Sequence, residues 1–168
     1  PDCQSLVPLS SHPAFDAHAS MSPDGRTIAF VSTRETHTAN IGILNLSTRK
    51  LINLTGQSGI QGDPTKPDGF FRPVWSPDGK WIAFSSDRNT EWLGHGNGSG
   101  WEHVQELRIY LVHPDGTGLK CISNPGICSG SPKWSADGKQ VIFYEIPVEQ
   151  TWDARRPPLA KKATSQII

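Results

Sequence analysis

Between Asp87 and Glu106 the chain gathers two histidines (His95, His103), two tryptophans (Trp92, Trp101) and three glutamates (Glu91, Glu102, Glu106), separated by glycines that let the backbone fold back on itself. His95, Glu102 and His103 are residue types that ligate a metal or pass a proton. Trp92 and Trp101 offer flat faces on which a sugar can stack. The same composition also suits a large ordered loop whose tryptophans fill a satellite core and whose polar groups satisfy its own backbone, and both readings stand. Asn97 opens an N-x-S sequon in Gly-Asn-Gly-Ser-Gly and is the candidate glycosylation site, whereas the sequons at Asn45 and Asn53 fall on strand positions and read as structural.

The elements that must position such a loop are announced by a phrase that occurs three times. It runs Ser22-Pro23-Asp24-Gly25 into Thr27-Ile28-Ala29-Phe30, Ser76-Pro77-Asp78-Gly79 into Trp81-Ile82-Ala83-Phe84, and Ser135-Ala136-Asp137-Gly138 into Gln140-Val141-Ile142-Phe143. Pro presets φ, Asp bonds the backbone two residues on and Gly accepts a positive φ, so each phrase is a tight reversal between two strands. Strand A precedes it (18–21, 72–75, 131–134) and strand B, apolar and β-rich, follows it. After the first two copies comes a second hairpin: strand C at 41–46 and 108–112, strand D at 51–54 and 119–122. The unit is four antiparallel strands, A to D.

This pattern resembles the WD40-like repeat of TolB-type β-propellers over residues 16–168. Trp75, Trp134, the Asp-Gly turns, the Phe ending strand B, and Arg34 and Arg88 stand where that repeat has them, while Met21, Ala136 and Pro147 depart from it. The resemblance implies an all-β fold of four-stranded antiparallel blades around a channel. Residues 1–15 would form an N-terminal segment or cap, 16–56 the first blade, 57–124 the second with its long loop at 87–107, and 125–168 a third that stops in strand C. Turn serines 54 and 59 residues apart, against about 40–45 for a compact blade, imply insertions. A closed ring takes about 4–8 blades, so the expectation is an incomplete propeller of about three, a fragment completed by the rest of the propeller or by a partner chain.

In such a propeller the long D-to-A and B-to-C connections share one face, and binding concentrates on long loops held by a rigid scaffold. Strand A is innermost, which implies that His18, Arg72 and Ser131, each four residues before its turn serine, converge on the axis. His18 and Arg72 would there bind an anion such as a carboxylate, for which Arg offers a two-pronged fork. Pairing of Arg72 with a neighbouring Asp is the competing reading. The candidate ligand-binding set is thus Arg72, Arg88, Trp92, His95, Trp101, Glu102 and His103, with His18, Arg72, His95 and His103 as candidates for any catalytic role.

The 16 basic and 16 acidic residues balance, and no Lys/Arg run exceeds a pair, so no nucleic-acid or membrane-surface footprint is expected. No cofactor or metal is expected either. Cys121 and Cys128 flank a short D-to-A connection that a disulfide would close in an oxidising compartment, with two buried thiols as the alternative, and Cys3 is left over. These features favour an extracellular or periplasmic protein. No G-x-S-x-G elbow, phosphate-cradling glycine loop or H-E-x-x-H occurs.

Three functions follow as expectations. The first is a scaffold that binds a protein or glycan. The second is a carbohydrate-active enzyme, a lyase or hydrolase acting on acidic glycans. The third is the propeller gate of a serine peptidase.

Overall fold

The computed structural model of the protein describes residues 7–35, 38–57, 59–62, 68–90, 106–150 and 166–168. Eleven strands lie in these residues, in three antiparallel sheets. The first sheet is β1 (Asp16–Met21), β2 (Thr27–Ser32), β3 (Asn40–Asn45) and β4 (Leu51–Asn53), in that spatial order. The second repeats it with β5 (Phe70–Trp75), β6 (Ile82–Ser86), β7 (Arg108–Val112) and β8 (Lys120–Cys121). The third holds β9 (Ile127–Trp134), β10 (Val141–Pro147) and, after a 3-10 turn at Val148–Gln150, β11 (Gln166–Ile167). The expected strands A to D are all present in the first two sheets, and the third has A to C.

One hydrogen-bond set closes each A-to-B reversal. In the second, the Ser76 hydroxyl donates to Asp78 Oδ1 at 2.6 Å and accepts the Trp81 N–H at 2.9 Å, while Asp78 Oδ1 also accepts the Lys80 N–H at 3.1 Å. Gly79 stands at φ 71° and donates its N–H to the Ser76 carbonyl at 2.9 Å. The first and third turns repeat every one of these bonds. The third does so with Ala136 in place of Pro, so the serine and aspartate, rather than the proline, close the turn. Donation from the serine hydroxyls, then from the backbone, holds the Asp24, Asp78 and Asp137 carboxyls below the ordinary 3.8.

The principal core lies between the first and second sheets. Ala29, Ile41 and Ile43 face Phe70, Ile82, Phe84, Tyr110 and Val112, with Leu54 and Ile60 sealing the connection. Phe84 stacks on Tyr110 at 5.8 Å and tilts against Phe70 at 5.9 Å. A second cluster, Ile28, Phe30 and Leu44, buries the opposite face of the first sheet. Inner strands also tie sheet to sheet: the Trp134 indole donates to the Val74 carbonyl at 3.2 Å, and the Trp75 N–H donates to Ser20 Oγ at 3.3 Å.

The bridge expected between Cys121 and Cys128 is not formed, and both thiols are free. Cys121 sits opposite Tyr110 on the outermost strand of the second sheet, whereas Cys128 belongs to the innermost strand of the third. The short connection therefore runs from the outermost strand of one sheet to the innermost strand of the next, and closeness along the chain does not pair the two thiols. Burial pushes the Cys128 thiol up and makes it inert. Cys3 and Asn97 lie outside the described residues.

Two outcomes follow. Ser76 is 1% exposed, so Ser76→Ala strands the Trp81 N–H and is expected to cost about 1–3 kcal/mol in urea unfolding. Pro77→Ala is expected to cost less than about 1 kcal/mol, and equal losses would show that the serine is not the keystone. In native protein a maleimide is expected to modify Cys121 and to reach Cys128 only after unfolding, as read by peptide mass mapping. A linked Cys121–Cys128 peptide under non-reducing conditions would overturn this arrangement.

Candidate functional site

Each innermost strand carries one β-bulge at the same place. The pairing register slips between Ala17 and Ser20 in β1, between Phe71 and Val74 in β5, and opposite Ile142 and Tyr144 in β9. Inside each slip stands a non-glycine residue in the left-handed region: His18 at φ 52°, Arg72 at φ 52° and Ser131 at φ 54°. A bulge bends its strand and re-aims a side chain. Here all three are turned toward one cleft of about 500 Å³ between the inner strands. The expected convergence of His18, Arg72 and Ser131 is therefore present.

Arg72 Nη1 donates a very short hydrogen bond to Ser131 Oγ, bridging the second and third sheets. The competing Arg72–Asp pair is absent among the described residues, where Arg34–Asp16 and Lys80–Asp78 are the ion pairs seen. Lys133 brings a second cation to the cleft, and among the described residues no Asp or Glu lines it. Burial, then the charge of Arg72, pushes the His18 imidazole below 6.5, so it is neutral at physiological pH. The site is a bowl of donors: a guanidinium, an ammonium, a hydroxyl and a neutral imidazole. It is suited to an anion.

Arg88 is not part of it. Its Nε donates to the Ile60 carbonyl at 2.5 Å and its Nη2 to Gln61 at 3.4 Å, with the guanidinium 5.9 Å over the Tyr110 ring. Arg34, its counterpart, binds Asp16 Oδ2 at 2.6 Å and lies over Phe30. Both arginines after strand B are braces. Trp92, His95, Trp101, Glu102 and His103 lie outside the described residues. Among those described, no group of three or more His, Cys, Asp and Glu is placed to hold a metal ion, and no helix is long and apolar enough to cross a membrane.

Tyr144 was not anticipated from the sequence. Its hydroxyl lies over Gly130, where an added Cβ would come within 2.4 Å of it. It is near enough to Arg72 for that charge to partly offset the burial and the neighbouring Cys128 that raise its phenol pKa. A glycine one residue before the bulge, opposite an aromatic on strand B, was the available signal.

Sheets of this topology, set side by side with their first strands around one cleft, define a β-propeller, of which about three blades are present. The fold is TolB-like. A protein described as TolB from Agrobacterium tumefaciens superposes with a TM-score of 0.62 at 20% identity, over 95% of this chain and 47% of that one. The Tol-Pal system protein TolB of Alcanivorax borkumensis is 38% identical over 68 residues, 40% of this chain and 14% of its own length. An uncharacterized peptidase of Bacillus subtilis, YuxL, is 27% identical over 165 residues, 81% of this chain and 22% of its own length. The chain thus spans about a fifth or less of these two curated relatives. No protein-family model matches it.

Because His18 has a folded pKa below its unfolded value of 6.5, it contributes stability that is full above pH 6.5 and lost as pH falls toward the folded value. Replacing Arg72 by Asn, which tolerates the left-handed φ, removes the repelling charge. The His18 midpoint, followed by its Cε1 proton resonance, is then expected to rise. An unchanged or lower midpoint would show that the guanidinium does not reach the imidazole.

Proposed function

We propose that this chain is part of an exported binding scaffold, extracellular or periplasmic, which holds a protein or glycan ligand at the axial cleft and the long-loop face of a TolB-like propeller. The observation that carries this reading is the meeting of Arg72, His18 and Ser131 in one cleft that no acidic side chain lines among the described residues. It is a constellation for holding an anion. The remainder of the propeller, or a partner chain, completes the ring.

A second reading is favoured by the 27% identity to the Bacillus subtilis peptidase across 81% of this chain. In it the blades form the gate of a peptidase, and the catalytic residues lie elsewhere in a longer protein.

The full-length natural protein, incubated with acidic polysaccharides and with chromogenic peptides, separates these readings. The expected result is retention of an acidic ligand, weakened by Arg72→Asn, without turnover. Release of unsaturated uronate abolished by Arg72→Asn or His18→Asn would establish the lyase alternative. Peptide cleavage would establish the gate.

A further inference from the structure

We infer that the axial cleft is a receptor for a single carboxylate, clamped by the Arg72 guanidinium, the Ser131 hydroxyl and the His18 imidazole. The inference deepens the scaffold reading and rests on it.

The donors are counted first. Arg72 spends one N–H on Ser131 Oγ and has no other hydrogen bond or ion pair among the described residues. The rest of its five-donor fork remains available, in the two-pronged geometry that a carboxylate matches. Ser131 accepts from Arg72, so its own hydroxyl proton is left to donate outward. His18 faces the same space from the first sheet. Two oxygens of one carboxylate can therefore meet donors from all three blades at once.

The choice of carboxylate over phosphate rests on the backbone. Phosphate sites are built largely from main-chain N–H groups, at helix N-termini or glycine-rich nests. Here the residues following Arg72 and Ser131 are Pro73 and Pro132, which have no N–H, and both line the cleft. At these two positions the side chains, not main-chain N–H groups after them, supply the donors. The walls between them, Ala19, Val74 and the two prolines, are aliphatic, and among the described residues no Phe, Tyr or Trp lines the cleft for a sugar to stack on. An acidic side chain or a chain-terminal carboxylate on a peptide fits such walls better than a uronic acid.

Occupancy is linked to a proton. The groups facing His18 are Arg72 from β5 and Ser131 and Lys133 from β9. On its own strand Asp16 is held by Arg34, which reaches it from the end of β2. Burial, then the unopposed charge of Arg72, holds the imidazole below its ordinary value. A carboxylate between them offsets that charge and favours the imidazolium, so binding tightens as pH falls.

The test uses the full-length protein with sodium acetate as probe, against chloride and inorganic phosphate at matched ionic strength, with isothermal titration calorimetry as the readout in every variant and the His18 resonance as a second readout where His18 is present. The expected result is a saturable acetate response that strengthens about tenfold between about pH 8 and about pH 6. In His18→Asn acetate still binds but the pH dependence flattens, and in Arg72→Asn the response is lost. Asn suits the left-handed φ at both positions, and an unchanged Tm verifies each fold. An equal response to chloride, acetate binding that survives Arg72→Asn, or phosphate binding about tenfold tighter than acetate would each overturn the carboxylate assignment. If acetate fails while an acidic macromolecule is still retained, the scaffold reading survives and this one falls.

Discussion

The serine hydroxyl that bridges its own turn is the interaction on which the rest depends. In all three reversals it donates to an aspartate two residues on and accepts an amide five residues on. This fixes where strand A ends and strand B begins, and so fixes the hairpin register. With the register set at the turn, the extra residue in each inner strand has one place to go, a few residues upstream. The bulge, the left-handed residue within it and the side chain at the axis all follow. A slip of one residue at the turn would send every side chain of the hairpin to the opposite face.

Packing turns three similar hairpins into one object. Alternation places Ala29, Ile41 and Ile43 on one face of the first sheet and Ile28, Phe30 and Leu44 on the other. The first sheet is thereby two-sided, and one of its faces packs on the second sheet. The larger aromatics, Phe70, Phe84 and Tyr110, fill the wedge between the first two sheets. The Trp75 N–H stitches the inner strands across the same gap, and the Trp134 indole does so between the second sheet and the third. The wedge sets the angle between sheets, and that angle holds the three inner strands about a single cleft.

Legibility in the sequence followed the range of the interaction. The Ser-x-Asp-Gly turns are local, so three copies of the phrase located β1 to β11 within a few residues. The placing of His18, Arg72 and Ser131 was reachable because equal offsets from equal turns imply equal positions. Their left-handed φ was not, since a bulge is a property of two paired strands. Arg88 was misjudged because its partners are the carbonyls of Ile60 and Gln61, which carry no sequence signature. The Cys121–Cys128 spacing misled because it measures contour length, whereas a blade separates its first and last strands by its whole width. Tyr144 escaped notice because its role depends on Gly130 across a hairpin.

The prolines at the rim of the cleft have a consequence for how anything enters it. The innermost strand of each sheet is an edge strand, and an open edge invites an extended segment to add itself by main-chain pairing. In β5 and β9 that edge is interrupted twice over, by the bulge and by the imino acid that follows it. In β1 the bulge alone interrupts it, next to Ala19. An extended segment therefore finds no continuous edge along which to add a strand to the second or third blade. In the carboxylate proposal a guest is read by its tip, through side chains, and leaves without unzipping a ladder.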